Sequence, residues 1–458
     1  MKMPLEPYDV VVVGAGVAGL TSSLKLAGEG LRIALVERRP FSKIGERACG
    51  DAVGLHHFRE IGLEPPNHVV KHRYRGVVLV SPSGKHRIVV PGEGVGVDSV
   101  KFAQWLLEEC IRRGVELLHS HHLESVKISE GVLERIVVKD LTNGSRKELA
   151  AKAYVDASGA IPALRTKLPD EWPISERPRV TDYNAAFREI IELEEPLNDP
   201  DHAVIYLNND IAPGGYWWAF PTSSGREVNL GLGVVMGGGF NPRKNYESFV
   251  KPLFKGRVIH SAGGLVPTRR PLPTLVWRNV VVVGDAAYTV NPIHGGGRGS
   301  SMLAASIAAR SIAEAINGGV SEESLWRMNI DYMKAYGAKQ AGLDVLRMYL
   351  QLMKNDELEF IFEKKVVSGD QVYDLGTKGR LSEEVLGSIK RLLSLIAKPS
   401  LLNKLRLVKS YMDRAERLYL EHYPKSPREI FKWIEIANEL YNEYSELIGY
   451  ALGPKVSW

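Results

Sequence analysis

Four groups of residues in this chain have the types and spacing to do chemistry. Gly14, Ala15, Gly16, Ala18 and Gly19 form a Gly-x-Gly-x-x-Gly run, and Glu37 follows 23 residues after Gly14. Such glycines permit a tight turn, let a pyrophosphate approach the backbone and let helix and strand pack closely. The helix that starts there offers free N–H groups to the phosphates. Glu37, with Arg38 beside it, can accept from adenosine ribose hydroxyls, and a bond to a charged acceptor is worth roughly 1.5–3 kcal/mol. The set reads as a dinucleotide site. A plain glycine-rich turn is the alternative, and it leaves Glu37 unexplained.

The second group is Gly284-Asp285, followed by Asn291-Pro292-Ile293-His294-Gly295-Gly296-Gly297-Arg298-Gly299. A carboxylate at a strand end can accept from ribityl hydroxyls. The glycines, with Gly296, Gly297 and Arg298 at the helix start, give close backbone approach and free N–H groups to a flavin ring. The pairing of Glu37 with Asp285 points to FAD rather than FMN or NAD; Asp285 as a plain helix cap is the alternative. His294, among glycines, suits a flavin neighbour better than a metal ligand.

The third group is Pro213-Gly214-Gly215-Tyr216-Trp217-Trp218-Ala219-Phe220-Pro221. On a strand, alternation puts Tyr216, Trp218 and Phe220 on one face. Such a face packs a core or walls a pocket, and spacing alone favours core. The fourth is Cys49, in Ala48-Cys49-Gly50-Asp51-Ala52. A lone cysteine is ordinarily an inert buried hydrophobe, and Cys110, on an amphipathic helix, reads as structural. Arg269 and Arg270, fixed between prolines, could clamp a phosphate or form a surface salt bridge. No His/Cys/Asp/Glu set has metal-ligand spacing, and there is no Gly-x-Ser-x-Gly nucleophile turn.

The elements that must position these groups are legible in outline. Tyr8–Val13 is a short β-branched run fit for a buried strand, Val17 to about Ala27 is helical, and 31–36 is a second strand ending on Glu37. Residues 74–80 and 86–90 read as a hairpin, 100–113 as an amphipathic helix closed by Gly114, and 126–149 as a meander turning at Asn143-Gly144. Residues 153–157 and 280–283 are further buried strands, and 178–274 is strand-rich with many Pro and Gly breaks. A helix spans about 300–316, and from 321 the pattern is helical. The nucleotide-binding unit is therefore discontinuous, from 1–65, 96–165 and 275–320. A β-rich substrate unit takes 66–95 and 166–274, and a helical unit takes 321–458.

The whole chain sets outer bounds. At 458 residues, 44% hydrophobic and 25% charged, it suits a soluble globular protein of two or three domains. The net charge of +5 is too diffuse to argue for nucleic acid; it suits an anionic head group or an anionic membrane surface. Two cysteines exclude a disulfide scaffold and fit a reducing cytosol. No apolar run is long enough for a membrane-spanning helix, so the expected location is cytoplasmic, with peripheral contact on the inner face of the cell membrane.

Together these residues resemble the geranylgeranyl reductase family of flavoproteins, particularly its archaeal members. The likeness runs from the N-terminus to about residue 350. It rests on GAGVAG at 14–19, CGD at 49–51, P-x-x-Y-x-W-x-F-P at 213–221 and GD…NPIHGGGRG at 284–299. It implies an α/β fold: an FAD-binding Rossmann-like domain of the p-hydroxybenzoate hydroxylase type, an antiparallel β-sheet cap and a helical C-terminal region. It implies FAD-dependent reduction of C=C bonds in geranylgeranyl chains, as the diphosphate or as an archaeal ether phospholipid, in membrane-lipid biosynthesis. The electron donor would be NAD(P)H or a ferredoxin-like protein.

By the same resemblance, Cys49 and Tyr216 are the candidate proton donors. Cys49, Gly50 and Ala52 join the cofactor site. Tyr216, Trp217, Trp218, Phe220 and Pro221, with His294 and Arg269, surround the substrate. Two stretches depart from relatives. Asp156-Ala157-Ser158-Gly159 stands where hydroxylases carry an Asp-Gly pair that helps bind NAD(P)H, and Asp98-Ser99 stands where an Arg is often used near FAD. An FAD monooxygenase on the same fold is the rival reading.

Overall fold

The computed structural model of this protein describes residues 7–223, 225–379 and 399–457. The helical expectation over 380–398, and the first six residues of the nucleotide unit, lie outside the described residues. Two eight-stranded sheets carry the architecture.

The first sheet is built on β1 (Tyr8–Val13), whose Val10, Val11 and Val12 are fully buried. A strand buried on both faces needs a continuous apolar run rather than alternation. β1 pairs in parallel with β2 (Ile33–Val36) and with β9 (Arg146–Asp156). β6 (Glu116–Leu118) extends the β2 edge, and β16 (Val280–Val282) then β15 (Val276–Trp277) extend the other. β7 (His121–Ser129) and β8 (Val132–Asp140) form a hairpin attached to β9. Helices α1 (Val17–Gly28) and α3 (Ser99–Arg112) follow the glycine turn and the second sheet in the chain. Asp98 caps α3, accepting from the N–H groups of Val100 and Lys101.

The second sheet runs β14 (Gly256–Pro267), β10 (Tyr183–Leu193), β13 (Glu227–Val235), β12 (Tyr216–Ser223), β11 (His202–Tyr206), β4 (Val70–Val80), β5 (Arg87–Val97), β3 (Ala52–Gly54). All its pairings are antiparallel except β11 with β4. β3 differs from expectation. It falls inside 1–65, yet it pairs with β5 of the second sheet, Ala52 opposite Gly96. Three residues of Ala-Val-Gly carry too little pattern to announce a strand. The consequence matters: the Cys49 segment is where the chain crosses from the first sheet to the second.

A short helix α4 (Pro242–Asn245) leads into the long β14, and α5 (Arg298–Ile316) follows β16 and the glycine loop. Beyond it come α6 (Glu322–Leu325), α7 (Arg327–Tyr332), α8 (Ala338–Leu350), α9 (Asn355–Glu363) and α10 (Gly369–Lys378), then helices at Pro399–Leu420 and Ile430–Ile448. One large core joins the first sheet to these helices. A second core lies behind β12 and β13, around Phe187, Trp217, Leu230 and Tyr246. A smaller cluster on the opposite face holds Tyr74, Trp218 and Phe220.

Candidate active site

The glycine turn has the shape that a pyrophosphate requires. Gly14 has φ +102°, and a Cβ there would lie 2.5 Å from the carbonyl oxygen of Ala157. A Cβ on Gly19 would overlap the backbone of Gly14. Gly16, by contrast, faces open space and caps α1 without any side-chain hydrogen bond. Two glycines are thus fixed by packing, while the third leaves room for a ligand at a helix N-terminus. Glu37 is held in place by the backbone: one carboxylate oxygen accepts from the N–H of Ala15 and the other from the N–H of Arg39, both at 2.8 Å. Arg38 is exposed and makes no hydrogen bond among the described residues.

The second segment meets the first directly. Gly284 has φ +67°, and a Cβ there would come within 2.7 Å of the Ala18 methyl. Asp285 is half-buried, and its carboxylate makes no hydrogen bond among the described residues. Burial pushes the Asp285 carboxyl up, against the pull of Arg47. An orphaned carboxylate in this position suits the hydroxyls of a ribityl chain. α5 begins at Arg298, and its cap, Gly297, supplies no side-chain bond, so the first-turn N–H groups stay open. The residues present therefore fit FAD: Gly14–Gly19 and Glu37 for the adenosine half, Asp285 and Gly296–Arg298 for the flavin half.

Between the two segments lies the loop of Cys49, and Asp51 anchors it. Asp51 has φ +64°, an uncommon conformation for a residue with a side chain. Its carboxylate accepts from Arg298 at 2.6 Å and from Ser99, and Asn229 approaches at 3.4 Å. Arg298 also donates to Ser99, and its Nε and Nη1 are buried without hydrogen-bond partners. Burial lowers the Arg298 guanidinium, but Cys49 and Asp51 beside it more than reverse this. Arg298 also stands over the Phe102 ring, 5.7 Å from its centroid. A guanidinium thus reaches the start of α3 from α5, although the sequence there carries Asp98-Ser99.

The aromatic strand alternates as its spacing predicts. Tyr216 and Trp218 meet edge to face at 5.9 Å, and Trp218 and Phe220 lie 6.1 Å apart. A Cβ on Gly50 would come within 2.8 Å of the Phe220 ring, so this face abuts the Cys49 loop. Trp218 Nε1 donates to Asn229 Oδ1 at 3.0 Å, and Asn229 Nδ2 donates to the Cys49 carbonyl at 2.8 Å. Tyr216 donates its hydroxyl to the His294 carbonyl at 2.5 Å. Burial, then the neighbouring Cys49, pushes the Tyr216 phenol above its ordinary range. Cys49 is half-buried and free. Cys110 is fully buried, donates to the Leu20 carbonyl at 3.4 Å, and burial pushes its thiol up to about 12.

Two residues expected at the substrate lie elsewhere. Trp217 points to the other face of β12, stacked on Tyr206 at 3.5 Å within the second core; strand alternation forbids it from sharing a wall with Tyr216. Arg269 is 2% exposed and committed to Asp182 at 3.2 Å, Glu176 at 3.0 Å and the Arg270 carbonyl. Its charge is already met by two carboxylates in the interior, so neither expected reading of Arg269, clamp or surface salt bridge, describes this buried group. Pro221 is buried, its carbonyl accepting from Tyr74 at 2.6 Å, and Ala52 is exposed on β3. Asp156 is used locally, accepting from the Ser158 N–H and hydroxyl and from the Arg165 N–H.

Sequence reasoning missed Asn229, Ser99 and Arg188, whose guanidinium donates to the Arg47 carbonyl and lies 3.9 Å from Asp51. Asn229 had a signal, a polar residue interrupting the apolar run of β13. It also missed a set on α2 (Leu55–Glu60): ligand-type atoms of His56, His57 and Glu60 lie within 4.8 Å of one another. Arg59 and Lys339 crowd that set with positive charge, which disfavours a metal cation.

Comparison with known proteins places this geometry. The family model described as "Geranylgeranyl reductase catalytic domain" matches residues 182–266, and that described as "FAD dependent oxidoreductase" matches residues 9–161. The digeranylgeranylglycerophospholipid reductase of Sulfolobus acidocaldarius is 34% identical over 446 residues, covering 96% of this chain and 98% of the relative. This chain belongs to the geranylgeranyl reductase family. As a geranylgeranyl reductase family member it is an FAD-dependent oxidoreductase. Digeranylgeranylglycerophospholipid reductase 2 of Methanopyrus kandleri is 28% identical, covering 86% of this chain and 98% of its own length. Among solved structures, a geranylgeranyl bacteriochlorophyll reductase-like protein from Thermoplasma acidophilum superposes with a TM-score of 0.71 at 22% identity, covering 88% of this chain and 99% of its own. A flavin-dependent brominase follows at a TM-score of 0.62 and 19% identity, covering 84% and 93%. At these identities the two structures establish the shared fold, an FAD-binding domain with a β-sheet cap.

Proposed function

We propose that this reductase saturates C=C bonds in geranylgeranyl chains carried on a phosphorylated glycerol ether lipid, the substrate named for its relatives in Sulfolobus and Methanopyrus. The observation that carries this reading is the contact of the Tyr216–Trp218–Phe220 face with the Cys49–Gly50 loop, between the two cofactor segments. An apolar wall beside a thiol suits a substrate with no polar group at its reacting carbons.

Bound FAD, in its reduced form, would supply the hydride chemistry that saturation of a C=C bond requires. An unactivated alkene is a poor acceptor, so the protein must hold it in place and position an acid at one of its carbons. The Tyr216 hydroxyl already donates to His294, so its proton is engaged. Cys49 is half-buried and in no disulfide, and Arg298 beside it would stabilise the thiolate left behind. We therefore assign proton delivery to Cys49 and loop positioning to Tyr216. Each buried CH2 of the chain contributes about 0.8 kcal/mol of binding, which anchors the substrate without itself accelerating the step.

No helix among the described residues is long and apolar enough to cross a membrane. A lipid substrate then calls for peripheral contact with the membrane surface, and a cytoplasmic NAD(P)H or ferredoxin-like donor would supply electrons. The test is reduction of digeranylgeranylglyceryl phosphate by the purified holoprotein with dithionite, followed by mass spectrometry. One added H2 per reduced bond is expected. With NADPH in place of dithionite, rapid oxygen uptake with a hydroxylated product would instead favour the monooxygenase.

A further inference from the structure

The second sheet meets the loop that carries Cys49 at every residue from 47 to 51. Arg188 of β10 donates to the Arg47 carbonyl at 3.1 Å. A Cβ on Gly264 of β14 would lie 3.3 Å from the Ala48 methyl. Asn229 of β13 donates to the Cys49 carbonyl at 2.8 Å, and the Phe220 ring of β12 closes on Gly50. At Asp51 the carboxylate divides. Its Oδ1 accepts from Arg298 of α5 at 2.6 Å and from Ser99 of α3, while its Oδ2 faces Asn229 at 3.4 Å and Arg188 at 3.9 Å. The loop is thus held from both sides, and the side that bears on Cys49 itself is the second sheet.

The register explains why these residues act together. Arg188 stands opposite Gly231, Gly231 opposite Trp218, and Asn229 opposite Phe220. Residues directly opposite in a ladder share a face, so Arg188, Asn229, Trp218 and Phe220 all look toward the loop. Asn229 is fully buried, and its amide can take only one orientation. Trp218 Nε1 is a donor, so Asn229 Oδ1 must face it, at 3.0 Å. The Cys49 carbonyl and the Asp51 carboxylate accept, so Nδ2 must face them. Turned over, the amide would set donor against donor and oxygen against two oxygens. One side chain therefore fixes the separation between the Trp218 ring and the backbone of Cys49.

We propose that Asn229, with Arg188 as a second arm, is a positioning residue for proton delivery: it sets the spacing between the aromatic wall and the Cys49 thiol. This rests on the reading above in which Cys49 supplies the proton. A chain lying on Trp218 is then presented to a thiol held by the same side chain, and the alkene meets its acid at one distance. Misplacement by about 1 Å is enough to cost about a hundredfold in rate.

Alkylation of the holoprotein by iodoacetamide reads the position of the thiol. The chain has two cysteines and Cys110 is fully buried, so Cys49→Ala supplies the background. Asn229→Leu should raise the alkylation rate by about tenfold, the equivalent of one lost hydrogen bond, with flavin retained. Arg188→Met should raise it as well, and Arg188→Lys should restore most of the wild-type rate, since an ammonium can still donate to the Arg47 carbonyl. Tyr246→Phe is the control: it removes a buried hydrogen bond to Glu189, 3.1 Å long, on the opposite face of the same sheet. An unchanged rate in Asn229→Leu, or an equal rise in Tyr246→Phe, overturns the proposal. If Asn229→Leu loses flavin, Asn229→Asp decides, because it keeps the acceptor for Trp218 and gives up the amide donor to Cys49. Loss of flavin in both would assign Asn229 to cofactor binding and overturn the proposal too.

Turnover supplies the second readout. On digeranylgeranylglyceryl phosphate, Asn229→Leu should lower kcat by about a hundredfold and leave KM within about twofold. Added to Cys49→Ala, it should cost little more, because a residue that acts through the thiol has nothing to position once the thiol is gone. A raised KM with kcat unchanged, or a full further loss in the double variant, overturns the proposal. If Cys49→Ala itself turns over at the wild-type rate, the proton role of the thiol fails, and the alkylation rates alone decide whether Asn229 positions the loop.

Discussion

Arg298 donates to Asp51 at 2.6 Å across a gap of 247 residues, and the two side chains are 3% and 13% exposed. This pair fastens the second cofactor segment to the loop that carries Cys49. Removing one partner of a buried pair leaves an uncompensated charge and typically costs about 3–5 kcal/mol. Arg298→Met should therefore destabilise the protein by about 3 kcal/mol in urea unfolding. Combining it with Asp51→Asn should recover part of that loss. A single-variant loss below about 1 kcal/mol would mean that the two segments are not coupled through this contact.

FAD retention should depend on Glu37 and on the open space above Gly16. Glu37→Ala removes a charged acceptor worth roughly 1.5–3 kcal/mol, a weakening of about tenfold to a hundredfold. Gly16 has φ −75°, which any residue can adopt, so Gly16→Val should fold and still exclude the cofactor. The ratio of flavin to protein absorbance, with circular dichroism to confirm folding, measures both. Full flavin occupancy in Gly16→Val would show that the pyrophosphate lies elsewhere.

Part of this was legible in the chain because the responsible residues are adjacent. The run from Tyr8 to Glu37 writes strand, turn, helix and acid in order, and the structure places Glu37 against Ala15. The alternation of Tyr216, Trp218 and Phe220 likewise needs only strand geometry. What could not be read depends on distant pairings. Arg269 looked free because its partners, Asp182 and Glu176, lie 87 and 93 residues away. Trp217 looked like a wall residue because the motif is contiguous, whereas the sheet sends alternate side chains to opposite faces.

Lys339 should leave a mark on the pH dependence of stability. Folded, it loses its proton near pH 8, against an ordinary value of 10.5. Between these values the unfolded chain binds more protons, so stability rises with pH across that window. Below pH 8 the burdened charge is fully present, and Lys339→Met should raise Tm at pH 7 and flatten the rise between pH 8 and 10.5. A lower Tm for Lys339→Met at pH 7 would show that the ammonium is a net stabiliser.

The two candidate acids separate by substitution. Cys49→Ala should slow alkene reduction more than it slows reduction of the flavin by dithionite, since only the former needs the proton; Cys49→Ser should retain some turnover. Tyr216→Phe removes one hydrogen bond to the His294 carbonyl, a loss of roughly 0.5–1.5 kcal/mol, and should leave turnover within about tenfold of wild type. Unchanged alkene turnover in Cys49→Ala would take the thiol out of the mechanism and return the role to Tyr216.

The two faces of β12 give the sharpest contrast. Phe220 and Trp217 are both buried, three residues apart, at 8% and 5% exposure. Phe220 contacts the backbone of Gly50, whereas Trp217 stacks on Tyr206 and meets Phe254 edge to face at 6.4 Å. Deleting either ring should destabilise the fold, by about 3–5 kcal/mol where the cavity stays open. Stability therefore does not discriminate, but catalysis per folded molecule does. Phe220→Ala should impair prenyl reduction with flavin still bound, because the wall beside the reacting bond is gone. Trp217→Ala, assayed well below its lowered Tm, should turn over each bound lipid at close to the wild-type rate. Equal catalytic defects in both variants would mean that the whole strand acts as one rigid support, and that the aromatic face is core rather than cavity.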